Sequence, residues 1–152
     1  MDTATDVTAI TNLIARYAEL VDTGDFDGVG ELFAEAVFIG GGGVVRGGDG
    51  IAEMLRRTVI RYADGTPRTH HVTTNIAVEF EGEGVATARS YVTVFQGLPE
   101  LPLQAVAAGR YRDRFERREG RWRFVERRVD IHLRGDLSRH LRGQPLDAES
   151  GT

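Results

Sequence analysis

The spacing of apolar residues changes near residue 69, and the change divides the chain into a helical half and a strand half. In the first half, Ile10, Leu13, Ile14, Tyr17 and Val21 recur every three or four positions, which predicts one helix over Asp6 to Val21. Thr5 or Asp6 is placed to cap its start, and Gly24 to stop it. Asp25 then caps a short second helix through Val29, Leu32 and Phe33, so two helices meet around Asp22. Ala36 to Ile39, the glycines 40 to 43 and Val44-Val45 predict a hairpin with a loose tip. Ile51, Met54, Leu55, Val59 and Tyr62 restore the helical period, predicting a third helix from Gly50 or Ile51 to Ala63.

From Thr69 onward the period is two. Val72, Thr74, Ile76, Val78 and Phe80 alternate with Thr73, Asn75, Ala77 and Glu79. Glu81-Gly-Glu-Gly84 turns the chain into a second strand, Val85 to Phe95. Pro99 and Pro102 mark an excursion, Gln104 to Arg117 forms a third long strand, and Arg118-Glu-Gly120 leads tightly into a fourth, Trp122 to Leu133. Helices followed by four antiparallel strands argue for an α+β fold, a sheet curled over packed helices, in one domain over residues 1–142 with a flexible tail over 143–152.

Composition narrows the chemistry. Lysine and cysteine are absent and only Ser90, Ser138 and Ser150 are serines, which removes Schiff-base, thiolate and G-x-S-x-G chemistry and leaves His, Asp, Glu and Tyr to move protons. A net charge of -4 gives no attraction to nucleic acid or an anionic membrane, and the arginines between Arg110 and Arg128 read as solvent-facing positions of two strands. No apolar run approaches the about 20 residues of a membrane span, and with no leader pattern and no cysteine a cytoplasmic protein is expected. The histidines at 70, 71, 132 and 140 show no metal-ligand spacing, and the glycine run lacks a following Lys-Ser/Thr pair, so neither a metal nor a cofactor is expected.

Asp22 stands at a helix C-terminus, where the dipole disfavours a carboxylate. It is either a turn-forming Asp or the orienter of a histidine. His70 and His71 point to opposite faces of their strand, so only one can enter a pocket. His70 shares its face with the more apolar set and His71 with Thr73, Asn75 and Ala77; a bulge near the strand start would exchange them. Tyr111, Asp113 and Phe115 share one face of the third strand. On the fourth strand Trp122, Phe124, Glu126, Arg128, Asp130 and His132 share another, where Arg128 can pair with Asp113 or Glu126. Such a face suits an aromatic-lined pocket with a few fixed polar groups: Asn75, Tyr111, Asp113, Phe124 and Arg128 are the candidate substrate contacts.

Several strings together resemble the SnoaL-like family of the nuclear-transport-factor-like superfamily. They are Ile14-Ala-Arg-Tyr-Ala-Glu-Leu-Val-Asp22, Gly24-Asp-Phe-Asp27, Leu32-Phe-Ala-Glu35, Thr69-His-His-Val-Thr-Thr-Asn75, Gly109-Arg-Tyr-Arg-Asp-Arg-Phe115 and Gly120-Arg-Trp-Arg-Phe124. The resemblance covers roughly residues 5 to 135. It implies a cone, a strongly bent antiparallel sheet of the cystatin-like type wrapped around three N-terminal helices, with a pocket between them. Within the family the chain looks most like scytalone dehydratase, lindane dehydrochlorinase and bile-acid dehydratase, which implies an aspartate and histidine pair at Asp22 and His71, with His70 as the fallback base, and a substrate-polarising tyrosine at Tyr17.

The expected function is therefore a cofactor-independent lyase of the dehydratase type, or an isomerase, acting on a small apolar or cyclic molecule. Two alternatives stand beside it: a SnoaL-type polyketide cyclase centred on Asp113, and a non-catalytic ligand-binding or structural role like that of dioxygenase β subunits. Self-association is expected, because a sheet with two partly apolar faces cannot leave the outer one wet, and the resemblance implies a trimer or dimer.

Overall fold

The first helix begins one turn earlier than its apolar stripe suggests. In the computed structural model, which describes residues 2–143, α1 runs Thr3–Asp22 and Asp2 caps it by accepting from the Thr5 N–H at 2.8 Å. Asp6, one of the two expected caps, is instead buried and accepts a hydrogen bond from the Trp122 indole at 2.9 Å. Asp25 caps α2 (Phe26–Leu32) as expected, accepting from the Gly28 N–H at 2.8 Å. Gly24 supplies the left-handed turn between the two helices, with φ of 78°.

The glycine tip joins β1 (Val37–Gly40) to β2 (Gly43–Arg46). Helix α3 (Gly48–Thr58) starts close against α2: a Cβ on Gly48 would lie 2.0 Å from the Gly30 carbonyl oxygen, so only glycine permits this crossing. The helix stops at Thr58 rather than reaching Ala63. Val59 is extended and bridges Leu141, so this β-branched stretch joins the C-terminal segment instead of continuing the helix.

The remaining strands are β3 (Thr69–Phe80), β4 (Val85–Leu98), β5 (Leu101–Arg118) and β6 (Arg121–Arg134). Pro99 and Glu100 alone join β4 to β5, a tighter connection than the expected excursion. Together the strands form one sheet in the order β2-β1-β6-β5-β4-β3. It is mixed, because β1 runs parallel to β6 while the long strands pair antiparallel. Register shifts interrupt all three long ladders, and such bulges bend a sheet. The sheet curves over the helices and encloses one core, in which Ile10, Ile14 and Leu20 of α1 meet Phe33, Ile51, Val92, Phe115 and Phe124. Apart from Gly143, the expected tail lies outside the described residues.

Candidate functional site

The last residue of α1 faces the start of the edge strand β3, and there the unfavourable position of Asp22 is compensated. Its Oδ1 lies 2.6 Å from His71 Nδ1 and accepts from Thr69 Oγ1 at 2.9 Å, while its Oδ2 accepts from the His71 backbone N–H at 2.8 Å. The side chains are almost buried, His71 at 9% exposure and Asp22 at 14%. Burial raises the Asp22 pKa, but the bonds and charge of His71 outweigh it and hold the carboxyl below its ordinary value. An ionised carboxylate only accepts, so a neutral His71 must carry its proton on Nδ1, which leaves Nε2 as the basic nitrogen.

His70 is exposed on the opposite face of β3. The apolar set that shares its side, Val72 and Ile76, is exposed as well, at 39% and 38%. Before the bulge at Asn75 the inner face of this strand is therefore the more polar one, and beyond it Val78 turns inward to pack against the core. Asn75 does not stay on the His71 face. It sits at a bulge between Thr74 and Ala77 with φ of 54°, exposed, and borders a depression of about 360 Å³ with Arg89, Tyr91, Arg110 and Arg112. A larger groove of about 810 Å³ runs between α2 and α3 past Asp27, Arg46 and Arg56. Neither depression is lined by Asp22 or His71.

Deeper in the cone lies a second carboxylate pair. Asp113 is fully enclosed and accepts two hydrogen bonds from Arg127, from Nε at 2.7 Å and from Nη2 at 2.8 Å. The Arg127 guanidinium lies 3.6 Å from the centre of the Tyr111 ring, 4.5 Å from that of Tyr17 and 5.1 Å from that of Phe124. Burial opposes the charge of Arg127, yet Asp113 more than offsets it and its pKa is raised. Burial also raises the pKa values of Tyr17 and Tyr111, so both phenols stay protonated. Phe124 stacks on Phe33 with ring centres 4.5 Å apart.

Arg128, expected on the Phe124 face, points outward instead; its side chain is 54% exposed and 3.9 Å from Glu126. The cause is a one-residue bulge. Arg114 pairs with Glu126 but Phe115 with Phe124, so Val125 is extra and the inward set beyond it becomes Arg127, Val129 and Ile131.

Sequence reasoning gave no role to Thr69, Arg127, Gln96 or His140. Thr69 had a signal in its place beside the histidine pair. Gln96 is buried on β4, where its Nε2 donates to the carbonyls of Pro67 and Arg139. His140 arrives from the C-terminal segment, and its ring lies edge-on to that of His71 with centres 5.9 Å apart. Among the described residues no group of three or more His, Asp and Glu side chains gathers in a way that could hold a metal.

Against known proteins, the SnoaL-like domain model matches residues 2–128. No curated protein matches the chain in sequence. Solved structures of the same fold include a candidate aromatic ring hydroxylase from Novosphingobium aromaticivorans, 28% identical with a TM-score of 0.72, covering 91% of this chain and 99% of its own. A candidate scytalone dehydratase from the same organism is 22% identical with a TM-score of 0.67, covering 84% and 85%. The hexachlorocyclohexane dehydrochlorinase LinA-type3 from Novosphingobium barchaimii is 21% identical with a TM-score of 0.70, covering 92% of each chain.

Proposed function

Because the chain belongs to the SnoaL-like domain family, we propose that it is a lyase that eliminates water from a small cyclic or largely apolar molecule without a cofactor. The observation that carries this reading is the double grip of Asp22 on His71, at Nδ1 and at the backbone N–H. A histidine held this way presents Nε2 in one orientation as a base. It takes the proton from a carbon beside an electron-withdrawing group, the C–H pair becomes the new double bond, and the carbon–oxygen bond breaks. The departing hydroxide and the proton from His71 leave as water. Tyr17, protonated and close to Arg127, polarises the substrate oxygen. Neighbours of this fold include a dehydrochlorinase and a candidate dehydratase, both of which are eliminases by name.

Asp113 is committed to Arg127 on both oxygens, which favours Asp22 and His71 over a cyclase centred on Asp113. The exposed Val72, Ile76, Tyr91 and Leu133 support the further reading that the chain self-associates. Among the described residues no helix is long and apolar enough to cross a membrane.

The test is deuterium uptake at the carbon beside the carbonyl of cyclohexanone in D2O, followed by NMR. Asp22→Asn and His71→Ala should slow the catalysed exchange by about 10²–10⁴, the worth of one positioned base. Exchange undiminished in both variants would refute the mechanism and leave a non-catalytic role.

A further inference from the structure

Two buried polar atoms have no hydrogen-bond partner near the His71 end of the fold: Gln96 Oε1, on the ladder partner of Thr69, and His140 Nδ1, in the ring that lies against His71. Their residues are only 1% and 5% exposed. Buried polar atoms are almost always paired, so two orphans at this end of the fold ask for a ligand.

Their position is not incidental. The Gln96 amide is fixed by its donations to Pro67 and Arg139, which leaves the oxygen as its unused end. The chain around His140 is tied down from several elements: Ile60 N–H donates to the His140 carbonyl at 2.9 Å, Arg142 N–H to Thr58 at 2.7 Å, and the Tyr62 hydroxyl to Arg139. Gln96 therefore bonds the residue next to His140, while Thr69, its partner across the β3–β4 ladder, bonds Asp22. Both orphan atoms belong to one end of the site.

We propose that Gln96 and His140 form a subsite for a hydroxyl group of the substrate, beside the base. The carbonyl oxygen of Gln96 can only accept, and a neutral imidazole can donate from Nδ1; a hydroxyl, which donates once and accepts as well, satisfies both. Burial, with His71 nearby, pushes the His140 pKa down to about 4, in keeping with a neutral donor. A carbon-bound chlorine cannot donate to Gln96, so the substrate class is a hydroxylated carbonyl compound rather than a haloalkane. This rests on the lyase reading and sharpens it.

The probes are 3-hydroxycyclohexanone and cyclohexanone, titrated into the full chain by NMR. The wild-type protein should bind the hydroxylated ketone on the order of tenfold more tightly, the factor of one net hydrogen bond. His140→Phe, which keeps a ring against His71 but removes the nitrogen, should bring the ratio close to one. His140→Asn, with a polar atom near the Nδ1 position, should keep the preference to within about threefold. Equal binding of the two ketones by the wild-type chain, binding of neither, or a preference untouched in His140→Phe overturns the subsite. The base is scored separately: cyclohexanone exchange that ignores both Asp22→Asn and His71→Ala refutes the lyase reading while a His140-dependent hydroxyl preference still stands.

Discussion

Asp113 and Asp22 each pair with a nitrogen base, and the two pairs differ in the partner and in its access to solvent. Asp113 and Arg127 face each other across neighbouring strands with no exposure, ringed by Tyr17, Tyr111 and Phe124. Asp22 and His71 join a helix end to an edge strand, and each keeps a small exposed fraction. An arginine does not give up its proton in a protein, so the first pair is a permanent charge held in place. An imidazole can both hold and release a proton, so the second pair is the one that suits the proposed chemistry. The carboxylate is the same in both; the partner and its access decide whether the result is a clamp or a proton-transfer site.

The contrast is broken most severely at the clamp. Arg127→Met removes the partner of a carboxylate that has no water to turn to, and should cost about 3–5 kcal/mol in urea unfolding. Asp113→Leu combined with Arg127→Met should recover most of that loss, because the penalty lies in the stranded charge rather than in the missing attraction. A single Arg127→Met protein as stable as the wild type would mean that the pair is not the clamp described.

The other end is sensitive to acid through His140. Its folded pKa of about 4 lies below the unfolded value of 6.5, so between these values the unfolded chain binds more protons and stability falls as pH drops. The full shift corresponds to a loss on the order of 3 kcal/mol between about pH 6.5 and 4. His71 and Asp22 are the titrating groups that face it. Asp22 acts in a lower window. Its depressed pKa stabilises the fold above the ordinary carboxylate value of 3.8 and is lost only below it. His140→Asn should flatten the melting-temperature profile from pH 6.5 to 4 relative to wild type; a profile of unchanged slope would place the acid sensitivity elsewhere.

How far the sequence foretold each pair follows from what lies between its members. Asp22 and His71 were readable because a helical period ends at one and a two-residue period begins near the other, and the SnoaL-like strings tie them together. The strand pattern alone pointed to His70, since it assumes that the apolar face is the buried one; on this edge strand Val72 and Ile76 face outward. Arg127 was hidden for a different reason. The extra Val125 shifts β6 by one residue, and nothing in Trp122-Arg-Phe-Val-Glu-Arg-Arg128 says which arginine turns inward. The bulge that removes Asn75 from the inner face was equally silent. His140 belongs to an irregular segment that reaches the site only through long-range contacts with Thr58, Ile60, Tyr62 and Gln96, which no local period encodes.

The smallest expected effect sharpens the comparison most, because it changes one hydrogen bond and little volume. Thr69→Val takes away the hydroxyl that donates to Asp22 Oδ1 and leaves both contacts of His71 in place. Loss of one such bond to a charged acceptor should cost about 1–2 kcal/mol in urea unfolding, less than the stranding of Asp113, because Asp22 keeps two partners and some solvent. The same bond lowers the Asp22 pKa, so its removal should raise that value, which carboxyl NMR titration would detect. A fall in cyclohexanone exchange much smaller than that of Asp22→Asn would show that the imidazole grip, rather than the threonine, sets the orientation of the base. A fall as large as that of Asp22→Asn would make Thr69 an equal member of the site.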